Sequence, residues 1–418
     1  KKRITESLGD LYGMHWPFKQ HKTSRNIKTL PYHDELKSFG ACFGVSGGYE
    51  RPMWFALDGE KTEYEYSYNY QNWYPSAEYE TNNTIKNVGL FDLTPFSKFE
   101  IKSNQAHREL QKICTSNIKN EAGKCVYTHM LNPDGGIETD LTVVCIEKDH
   151  FRIISSAATR ERDKFHINKH LAKDVELKDV TDDYCVFGVF GPKSRALMKS
   201  ISKDNFENDN FRFSTAKYIT IEGIKIWTQR LSYVGELGYE LYVKSKDAKK
   251  IYELLVNKGK DFNLSNCGMH AMDIMRMESG FLHWGHDISP EENQYQAGLS
   301  FTISSKKEDE FIGKKALEKI KKEKIKSRFA MFTLKDSKPG EPLLLHDEPI
   351  YLENKIIGRS TSGNYSFNFR KNLTFGYINN DISNDELHKK DLFIEIEKKK
   401  YPIELINKPL KQTNFKNN

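Results

Sequence analysis

The sequence lacks the features that mark membrane, zinc-binding and disulfide-rich proteins. No apolar run reaches the length of a membrane-spanning helix, about eighteen residues, and no secretory signal pattern is visible. The six cysteines are widely spaced and form no Cys-x-x-Cys pair, which argues against a zinc site and against a disulfide framework. We therefore expect free, mostly buried thiols and no membrane partner. The chain also lacks an initiator Met, which is consistent with a piece of a longer protein.

Signatures of nucleotide and nucleic-acid binding are missing as well. No Gly-x-Gly-x-x-Gly follows a predicted strand, and there is no Walker sequence. The net charge is only +6 over 418 residues, and the lysines are interspersed with acids rather than gathered into a basic stripe. His283 and His286 lie close in sequence, but Gly285 interrupts them and no third ligand is evident. We expect no nucleic-acid partner and no metal.

What is present is the composition of an ordinary globular protein, with 38% hydrophobic and 12% aromatic residues. Its 418 residues suggest two or three domains. Between residues 88 and 302, strand and helix patterns alternate, and residues 219–230 and 232–243 are predicted to form a pair of strands. Residues 329–410 are strand-like with repeated turn signals. The pattern predicts an α+β fold with a small C-terminal antiparallel β domain.

Asp140 stands in a predicted strand, where aspartate is uncommon. A hairpin is predicted over residues 125–145. In its second strand Leu141 and Val143 share one face, while Glu138 and Asp140 share the other. A solvent-facing position would explain Asp140. The alternative is an acid displayed at the mouth of a cavity, because a desolvated carboxylate needs a partner.

Tyr233 and Glu240 are separated by a bend that contains Gly235 and Gly238. In an unbroken strand, positions seven apart would face opposite sides, but the glycines can reverse or bulge the chain so that both side chains converge. Glu240 lies in an otherwise apolar strand. It is either solvent-facing or a bidentate acceptor for two adjacent N–H donors, such as those on a pterin or guanidine edge.

Arg276 lies in a predicted helix, residues 269–279, which Gly280 ends. The apolar Met272 and Met275 are close by in the sequence. A surface position is the commonest one for a helical arginine. The alternatives are that Arg276 pairs with Glu240 or holds an anionic ligand tail.

Five sequence stretches together suggest a known family. They are VGLFD at 88–92, GGIETDL at 135–141, YVGELGYE at 233–240, RMESG at 276–280 and GRSTSG at 358–363. In content and order they resemble the folate-dependent aminomethyltransferase (glycine cleavage T-protein) family, and the resemblance runs from about residue 31 to 410. Two further stretches are LYGMHWP at 11–17 and residues 43–55, which begin Phe-Gly and end in ERPMWF. They resemble the C-terminal half of dimethylglycine and sarcosine dehydrogenases, in which a flavin domain precedes a T-protein-like half.

The resemblance implies a folate-binding core of two subdomains around a central pocket, followed by a β-barrel-like domain. Residues 1–30 would be a remnant or linker that packs on an upstream flavin domain. Residues 31–303 would be the aminomethyltransferase-like folate-binding domain, and residues 328–410 the C-terminal barrel. The expected location is the cytoplasm, or the mitochondrial matrix in a eukaryote.

The activity implied is tetrahydrofolate-dependent one-carbon transfer. An iminium- or formaldehyde-level carbon from an N-methylated amine, such as dimethylglycine or sarcosine, would be captured as 5,10-methylenetetrahydrofolate. Tetrahydrofolate would bind to this chain, and FAD would lie only in an upstream domain or partner absent from it. The implied partners are folate and a flavin-dependent oxidoreductase domain or subunit.

Family roles carry over at matching positions only. Asp140 matches the catalytic aspartate, Tyr233 and Glu240 match pterin-contacting residues, and Arg276 matches a motif arginine near the folate pocket. Thr139 departs from the Asp-Asp that usually precedes Leu in T-proteins of the cleavage system. This agrees with the dehydrogenase branch and argues against a lipoyl-protein partner. Asp140 could act as a base or as an electrostatic stabiliser.

Other functions share this fold. The alternatives are a stand-alone aminomethyltransferase, a folate-dependent demethylase acting on a sulfur or oxygen methyl compound, and a non-catalytic folate-binding module. The N-terminal segment argues against the demethylase because it matches the flavin enzymes. An assembly factor of this shape would carry a Lys-Gly-Cys-Tyr type signature in mid-chain, which this sequence lacks.

Overall fold

The computed structural model describes residues 1–305, 307, 309–412 and 416. Its strands are β1 (Ala41–Ser46), β2 (Tyr49–Phe55), β3 (Val88–Asp92), β4 (Ser97–Lys102), β5 (Cys125–Leu131), β6 (Ile137–Glu147), β7 (His150–Ser155), β8 (Leu177–Asp179), β9 (Tyr184–Phe190), β10 (Ala216–Ile221), β11 (Ile224–Gln229), β12 (Gly238–Lys244), β13 (Leu264–Cys267), β14 (Ser327–Leu334), β15 (Pro349–Leu352), β16 (Lys355–Ser366), β17 (Lys371–Asn379), β18 (Leu392–Ile396) and β19 (Lys399–Ile406). Its α-helices are α1 (Lys2–Asp10), α2 (His33–Ser38), α3 (Tyr74–Lys86), α4 (Ala106–Ile113), α5 (Arg160–His170), α6 (Ser194–Ile201), α7 (Ala248–Gly259), α8 (Met269–Glu278), α9 (Lys314–Lys322) and α10 (Asn384–Lys389).

Two sheets organise the chain before the C-terminal barrel. The six-stranded sheet has the order β10-β11-β12-β9-β3-β13, and its neighbours are antiparallel except for the parallel pair β3 and β13. The five-stranded sheet, β5-β6-β7-β4-β8, is antiparallel throughout. Helices connect and cover these sheets, so the predicted α+β class is confirmed.

Each sheet buries its outer face beneath helices. Leu241 and Val243 of the six-stranded sheet pack with Leu197 of α6 and Leu255 of α7. On the five-stranded sheet, Leu141, Val143 and Cys145 pack with Leu110 of α4 and Ile167 of α5. The period-2 alternation expected in the second strand of the hairpin is therefore present, and it leaves Asp140 on the inner face of β6.

The inner faces of the two sheets meet in a shared core. Val144 and Ile146 of β6 pack in one cluster with Trp227 of β11 and Tyr242 of β12, and Met275 of α8 belongs to the same cluster. Polar side chains that occupy positions on these inner faces therefore lie at the interface of the two sheets. This arrangement positions the candidate site.

The C-terminal strands close into a barrel in the order β14-β17-β16-β15-β18-β19. Its interior holds apolar residues such as Phe332, Ile350, Ile394 and Leu405. Helix α8 joins the barrel to the sheets, because Arg276 donates to Ser362 Oγ of β16 at 2.9 Å. The prediction of a C-terminal β-barrel-like domain is confirmed.

The prediction of one strand over residues 219–230 is wrong. The structure has two strands there, β10 and β11, joined at Glu222 and Gly223. Both turn residues have positive φ, 48° and 77°, as a tight two-residue hairpin turn requires. Isoleucines continue on both sides of the turn, so hydrophobicity alone hides it. The Glu-Gly pair was the signal for a break.

The cysteines behave as predicted, since all six are free and buried. Within the described residues, no helix combines the length and the apolar character that crossing a bilayer demands.

Candidate functional site

Asp140 projects from the inner face of β6, directly opposite His129 of β5. The Tyr127 hydroxyl lies 3.1 Å from Asp140 Oδ2, at hydrogen-bond distance. Burial raises the pKa of Asp140 to about 6, and the nearby Asp163 carboxylate acts in the same direction, whereas the Tyr127 hydrogen bond lowers the pKa. A carboxyl group with this pKa changes its protonation state near neutrality, which suits a proton acceptor in catalysis.

The Tyr127 side chain is surrounded by protein but is still partly open to solvent. Its side chain is 38% exposed, yet burial raises its pKa well above the ordinary value. A surface tyrosine would be exposed without being desolvated, and a core tyrosine would be desolvated without being exposed. The combination is that of a residue in a recess of the protein. Sequence reasoning missed Tyr127, because tyrosine is common in strands and its position there carries no signal of a site.

Glu240 projects from β12 and is only partly accessible to solvent. The Tyr242 hydroxyl donates a hydrogen bond to Glu240 Oε2 at 3.1 Å. Burial raises the pKa of Glu240 to about 7, although the hydrogen bond from Tyr242 opposes this rise. The carboxylate is held by one hydroxyl, and no cation is among the causes of its shifted pKa. The ionised carboxylate of Glu240 is therefore a strong hydrogen-bond acceptor that can accept from further donors.

Gln229 is the direct neighbour of Glu240 across the β11–β12 pair, so both side chains project from the same side of the sheet. Gln229 is fully buried, and neither its Nε2 nor its Oε1 has a hydrogen-bond partner in the described part of the protein. Burying an amide without partners costs free energy. Glu240 and Gln229 together therefore offer an acceptor carboxylate, an amide donor and an amide acceptor to a ligand.

Tyr233 lies in the segment between β11 and β12, just before Gly235, which has φ +68°. Its hydroxyl donates to the Leu282 carbonyl at 2.9 Å, and its ring stacks on Phe281 with centroids 6.0 Å apart. The hydroxyl is thus used within the protein. The aromatic face remains the part of Tyr233 that can form a wall against a planar ligand.

Arg276 is buried, so the expected surface position is wrong, and its bonds within the protein go to residues other than Glu240, the partner considered as an alternative. Its guanidinium donates to Asp273 Oδ1 at 2.8 Å and to Asp287 Oδ2 at 2.5 Å. Further bonds reach the Phe281 carbonyl and Ser362 Oγ. These acids raise its pKa despite burial. Four of its N–H groups are engaged, so Arg276 ties α8 to the barrel, and its role in holding an anionic tail stays a prediction.

The structure brings Asp140, Tyr233 and Glu240 into the space between the two sheets. Burial is the main cause of the raised pKa values of Tyr233 and Cys125; the charge of Asp140 adds to the rise for Tyr233, and the charge of Glu240 adds to the rise for Cys125. Cys125 lies on the same face of β5 as Tyr127, two residues before it. The two acids therefore face the space between the two sheets, Asp140 from β6 and Glu240 from β12.

Comparison with known proteins identifies two family domains in this chain and a solved structure with the same fold. The GCVT N-terminal domain matches residues 32–307, and the glycine cleavage T-protein C-terminal barrel domain matches residues 328–411. The solved aminomethyltransferase T of the Bartonella henselae glycine cleavage system has a TM-score of 0.78 and covers 92% of this chain and 98% of its own. It is 20% identical in sequence, so this likeness shows the shared fold.

Three curated relatives are informative. The chain is 38% identical over 367 residues to 4-methylaminobutanoate oxidase (formaldehyde-forming) of Paenarthrobacter nicotinovorans, and 32% identical over 371 residues to mitochondrial dimethylglycine dehydrogenase of Rattus norvegicus. These matches cover 87% and 88% of this chain but 44% and 42% of the relatives. An aminomethyltransferase of Halothermothrix orenii is 32% identical over 305 residues, 72% of this chain and 83% of that protein.

The chain thus spans under half the length of the oxidase and the dehydrogenase and most of the length of the aminomethyltransferase. Both family domains match in the order and at the places where the structure has its two-sheet core and its barrel. The resemblance inferred from the five sequence stretches is confirmed. The chain belongs to the glycine cleavage T-protein family and is an aminomethyltransferase-like enzyme.

Proposed function

We propose that this chain binds tetrahydrofolate and captures a one-carbon unit at the oxidation level of formaldehyde from an N-methylated amine, giving 5,10-methylenetetrahydrofolate. The observation that carries the proposal is a set of desolvated polar side chains on the inner faces of the two sheets, bordering the space between them. Glu240, whose pKa burial raises to about 7, lies there beside the unpartnered amide of Gln229. Asp140, whose pKa is raised to about 6, faces the same space.

The residues present fit a reduced pterin. The aminopyrimidinone edge of a pterin carries adjacent N–H donors and a carbonyl acceptor. Glu240 can accept from the donors, while the Gln229 amide can donate to the carbonyl and accept in turn. The Tyr233 ring, already stacked on Phe281, can cover the planar ligand. A ligand of this kind would satisfy polar groups that have no partner among the described residues.

Bound tetrahydrofolate supplies two nitrogens whose N–H protons are exchanged for bonds to the transferred carbon. The remaining work belongs to the protein. Asp140 accepts the two protons in turn at its carboxylate and passes each to the nitrogen of the departing amine, which therefore ends as an ammonium ion. Its negative charge also favours an iminium cation at the reacting centre. The pKa near 6 lets Asp140 carry out both directions of proton transfer near neutral pH.

Calorimetric titration of the chain with tetrahydrofolate tests the binding step, and a product assay with formaldehyde tests the transfer. Asp140→Asn should bind folate and form little product. Glu240→Ala should weaken folate binding by roughly ten- to a hundredfold, because a charge-assisted hydrogen bond contributes about 1.5–3 kcal/mol. Glu253→Ala, on the exposed outer side of α7, is the control and should bind normally. Absence of folate binding by the unmodified chain would refute the proposal.

The source of the carbon in this proposal is a flavin-dependent oxidoreductase domain or subunit. Helix α1 supports such a partner. Arg3 and Glu6 fasten its polar side to Thr23, with Arg3 donating to the Thr23 carbonyl at 2.6 Å. Its other side presents Ile4 and Leu8, 65% and 59% exposed. Apolar side chains spaced four apart form one continuous helical stripe, which suits docking to another protein surface.

Coding sequence adjoining this chain should therefore contain a flavin domain, fused or separate. With that flavoprotein, Ile4→Lys combined with Leu8→Lys should reduce co-purification and the transfer of carbon from amine to folate. The control is Phe165→Lys, since Phe165 of α5 is 70% exposed and far along the chain from α1. Unchanged association of the doubly substituted chain would contradict this docking surface without affecting the folate proposal.

A stand-alone aminomethyltransferase is the second candidate, favoured by the Halothermothrix orenii relative, of which this chain covers 83%. That function would take the carbon from an aminomethylated lipoyl carrier protein. Supplying such a carrier instead of formaldehyde separates the two candidates. We expect no turnover with it, because Thr139 stands where the cleavage-system proteins usually carry a second aspartate.

A further inference from the structure

One tyrosine hydroxyl is shared between the candidate catalytic acid and a buried histidine. Tyr127 and His129 lie two residues apart on the same face of β5. The Tyr127 hydroxyl lies 3.1 Å from Asp140 Oδ2 and 3.2 Å from His129 Nε2. It carries a single proton, so it can donate to only one of these two neighbours at a time.

The hydrogen bonds on the far side of the imidazole fix which nitrogen carries its proton. His129 Nδ1 lies 2.9 Å from the hydroxyl of Thr302, in the 3-10 turn Ser300–Thr302. That hydroxyl already donates to the Leu299 carbonyl at 2.7 Å, so it must accept from Nδ1–H. His129 is completely buried, and burial lowers its pKa to about 3. The ring is neutral, and Nε2 is an acceptor.

Counting protons shows which state of Asp140 this network favours. When Asp140 is ionised, two acceptors compete for the Tyr127 proton, and one of them goes without. When Asp140 is protonated, its hydroxyl donates to the Tyr127 oxygen, and Tyr127 donates to His129 Nε2. Every group then has a partner. An unsatisfied buried acceptor is costly, so the network favours the protonated carboxyl.

We propose that His129 is a positioning residue: by holding the Tyr127 proton, it makes Tyr127 an acceptor for protonated Asp140 and so prepares Asp140 to take up a proton. The other ionisable groups that act on Asp140 are Asp163 of α5, which also disfavours the ionised form, and Tyr233, whose hydroxyl is engaged by the Leu282 carbonyl. The catalytic consequence rests on the proposed function. The linkage among the three side chains does not.

The test is a pH titration of the Asp140 carboxyl in the folate-free protein. Difference infrared spectroscopy monitors the band of the protonated carboxyl, and the Asp140→Asn protein is the reference that is subtracted. His129→Leu removes the acceptor and leaves the Tyr127 proton to Asp140. The midpoint should fall by about one pH unit, a roughly tenfold loss of proton affinity, as expected for losing one hydrogen bond. The acid limb of the pH–rate profile for one-carbon transfer should move by the same amount.

Thr302 provides a matched pair that leaves His129 in place. Thr302→Val removes the hydroxyl that fixes the tautomer, so the ring can carry its proton on Nε2 and donate to Tyr127. The Tyr127 proton then goes to Asp140, and the midpoint should fall again. Thr302→Ser keeps the hydroxyl and should titrate like the unmodified protein. A role of His129 in packing alone would not separate Ser from Val in this way.

Two results would overturn the inference: an Asp140 midpoint unchanged in both His129→Leu and Thr302→Val, or equal shifts in Thr302→Ser and Thr302→Val. Failure of the proposed function looks different. The carboxyl midpoint would still move in the folate-free protein, while no variant, nor the unmodified chain, formed a folate product.

Discussion

Replacing Asp140 by asparagine should make the protein more stable while removing its activity. Burial raises the pKa of this carboxyl from an ordinary 3.8 to about 6. Each pKa unit corresponds to about 1.4 kcal/mol, so the ionised carboxylate costs the folded state about 3 kcal/mol at most. Asparagine has a similar shape, can still accept from Tyr127, and carries no charge to desolvate.

The sign of the pH dependence follows from the raised pKa. Between about pH 4 and pH 6 the folded protein holds a proton on Asp140 that the unfolded chain has lost, so unfolding becomes easier as the pH rises through this window. Above the window the penalty is complete, and below it the penalty is absent. The stabilisation by Asp140→Asn should therefore reach its full size at pH 8 and disappear below pH 4.

Urea unfolding of both proteins at pH 8 and at pH 4 measures this difference. Asp134→Asn is the control, because Asp134 is exposed at the turn of the same hairpin and should leave the free energy of unfolding unchanged. An Asp140→Asn protein that is no more stable at pH 8 would show that the carboxylate is not desolvated. A gain of equal size at both pH values would show that its origin is not electrostatic.

Three further changes test other parts of the site. Glu240→Gln should stabilise the protein above pH 7 but not below pH 4.5, because burial raises that pKa from 4.5 to about 7; thermal unfolding at both extremes measures it. Gln229→Leu should raise the free energy of unfolding by about 1–2 kcal/mol, since it removes two unpartnered buried polar atoms, and should weaken folate binding about tenfold in calorimetry. Arg276→Met should lower the free energy of unfolding by about 3–5 kcal/mol in urea titration, because it leaves Asp287 buried without its cation.

Much of the fold could be predicted because its signals are local. Leu141 and Val143 alternate with polar residues along β6, and Gly280 follows the last turn of α8. Both patterns depend only on neighbours in the sequence. The strand over residues 219–230 was wrong for the same reason, since apolar alternation runs on through a turn of two residues. In that segment only the turn residues, Glu222 and Gly223, indicate where the first strand ends.

Partners that are distant in the sequence could not be predicted. Arg276 bonds to Asp287, eleven residues on, and to Ser362, eighty-six residues on in the barrel. No periodicity connects these positions. Strand register predicts neighbours at moderate separation in the sequence, and it did not enter the predictions for these residues. The turn between β5 and β6 sets His129 opposite Asp140, and the pairing of β11 with β12 sets Gln229 opposite Glu240. Register could have found these neighbours, although it could not have shown that the Gln229 amide lacks a partner.

The contrast between Arg276 and the two acids separates structural polar groups from functional ones. Arg276 is buried, but nearby acids and oxygen acceptors satisfy it, so it stabilises the junction of core and barrel. Asp140 and Glu240 are desolvated without a cation, and both have pKa values that burial moves toward neutrality. A protein that only needed to fold would gain from replacing them, since a half-satisfied polar cluster is worse than an apolar one. Their coincidence on the inner faces of the two sheets, next to a Gln229 amide that has no partner among the described residues, therefore favours a ligand that supplies the missing donors and acceptors.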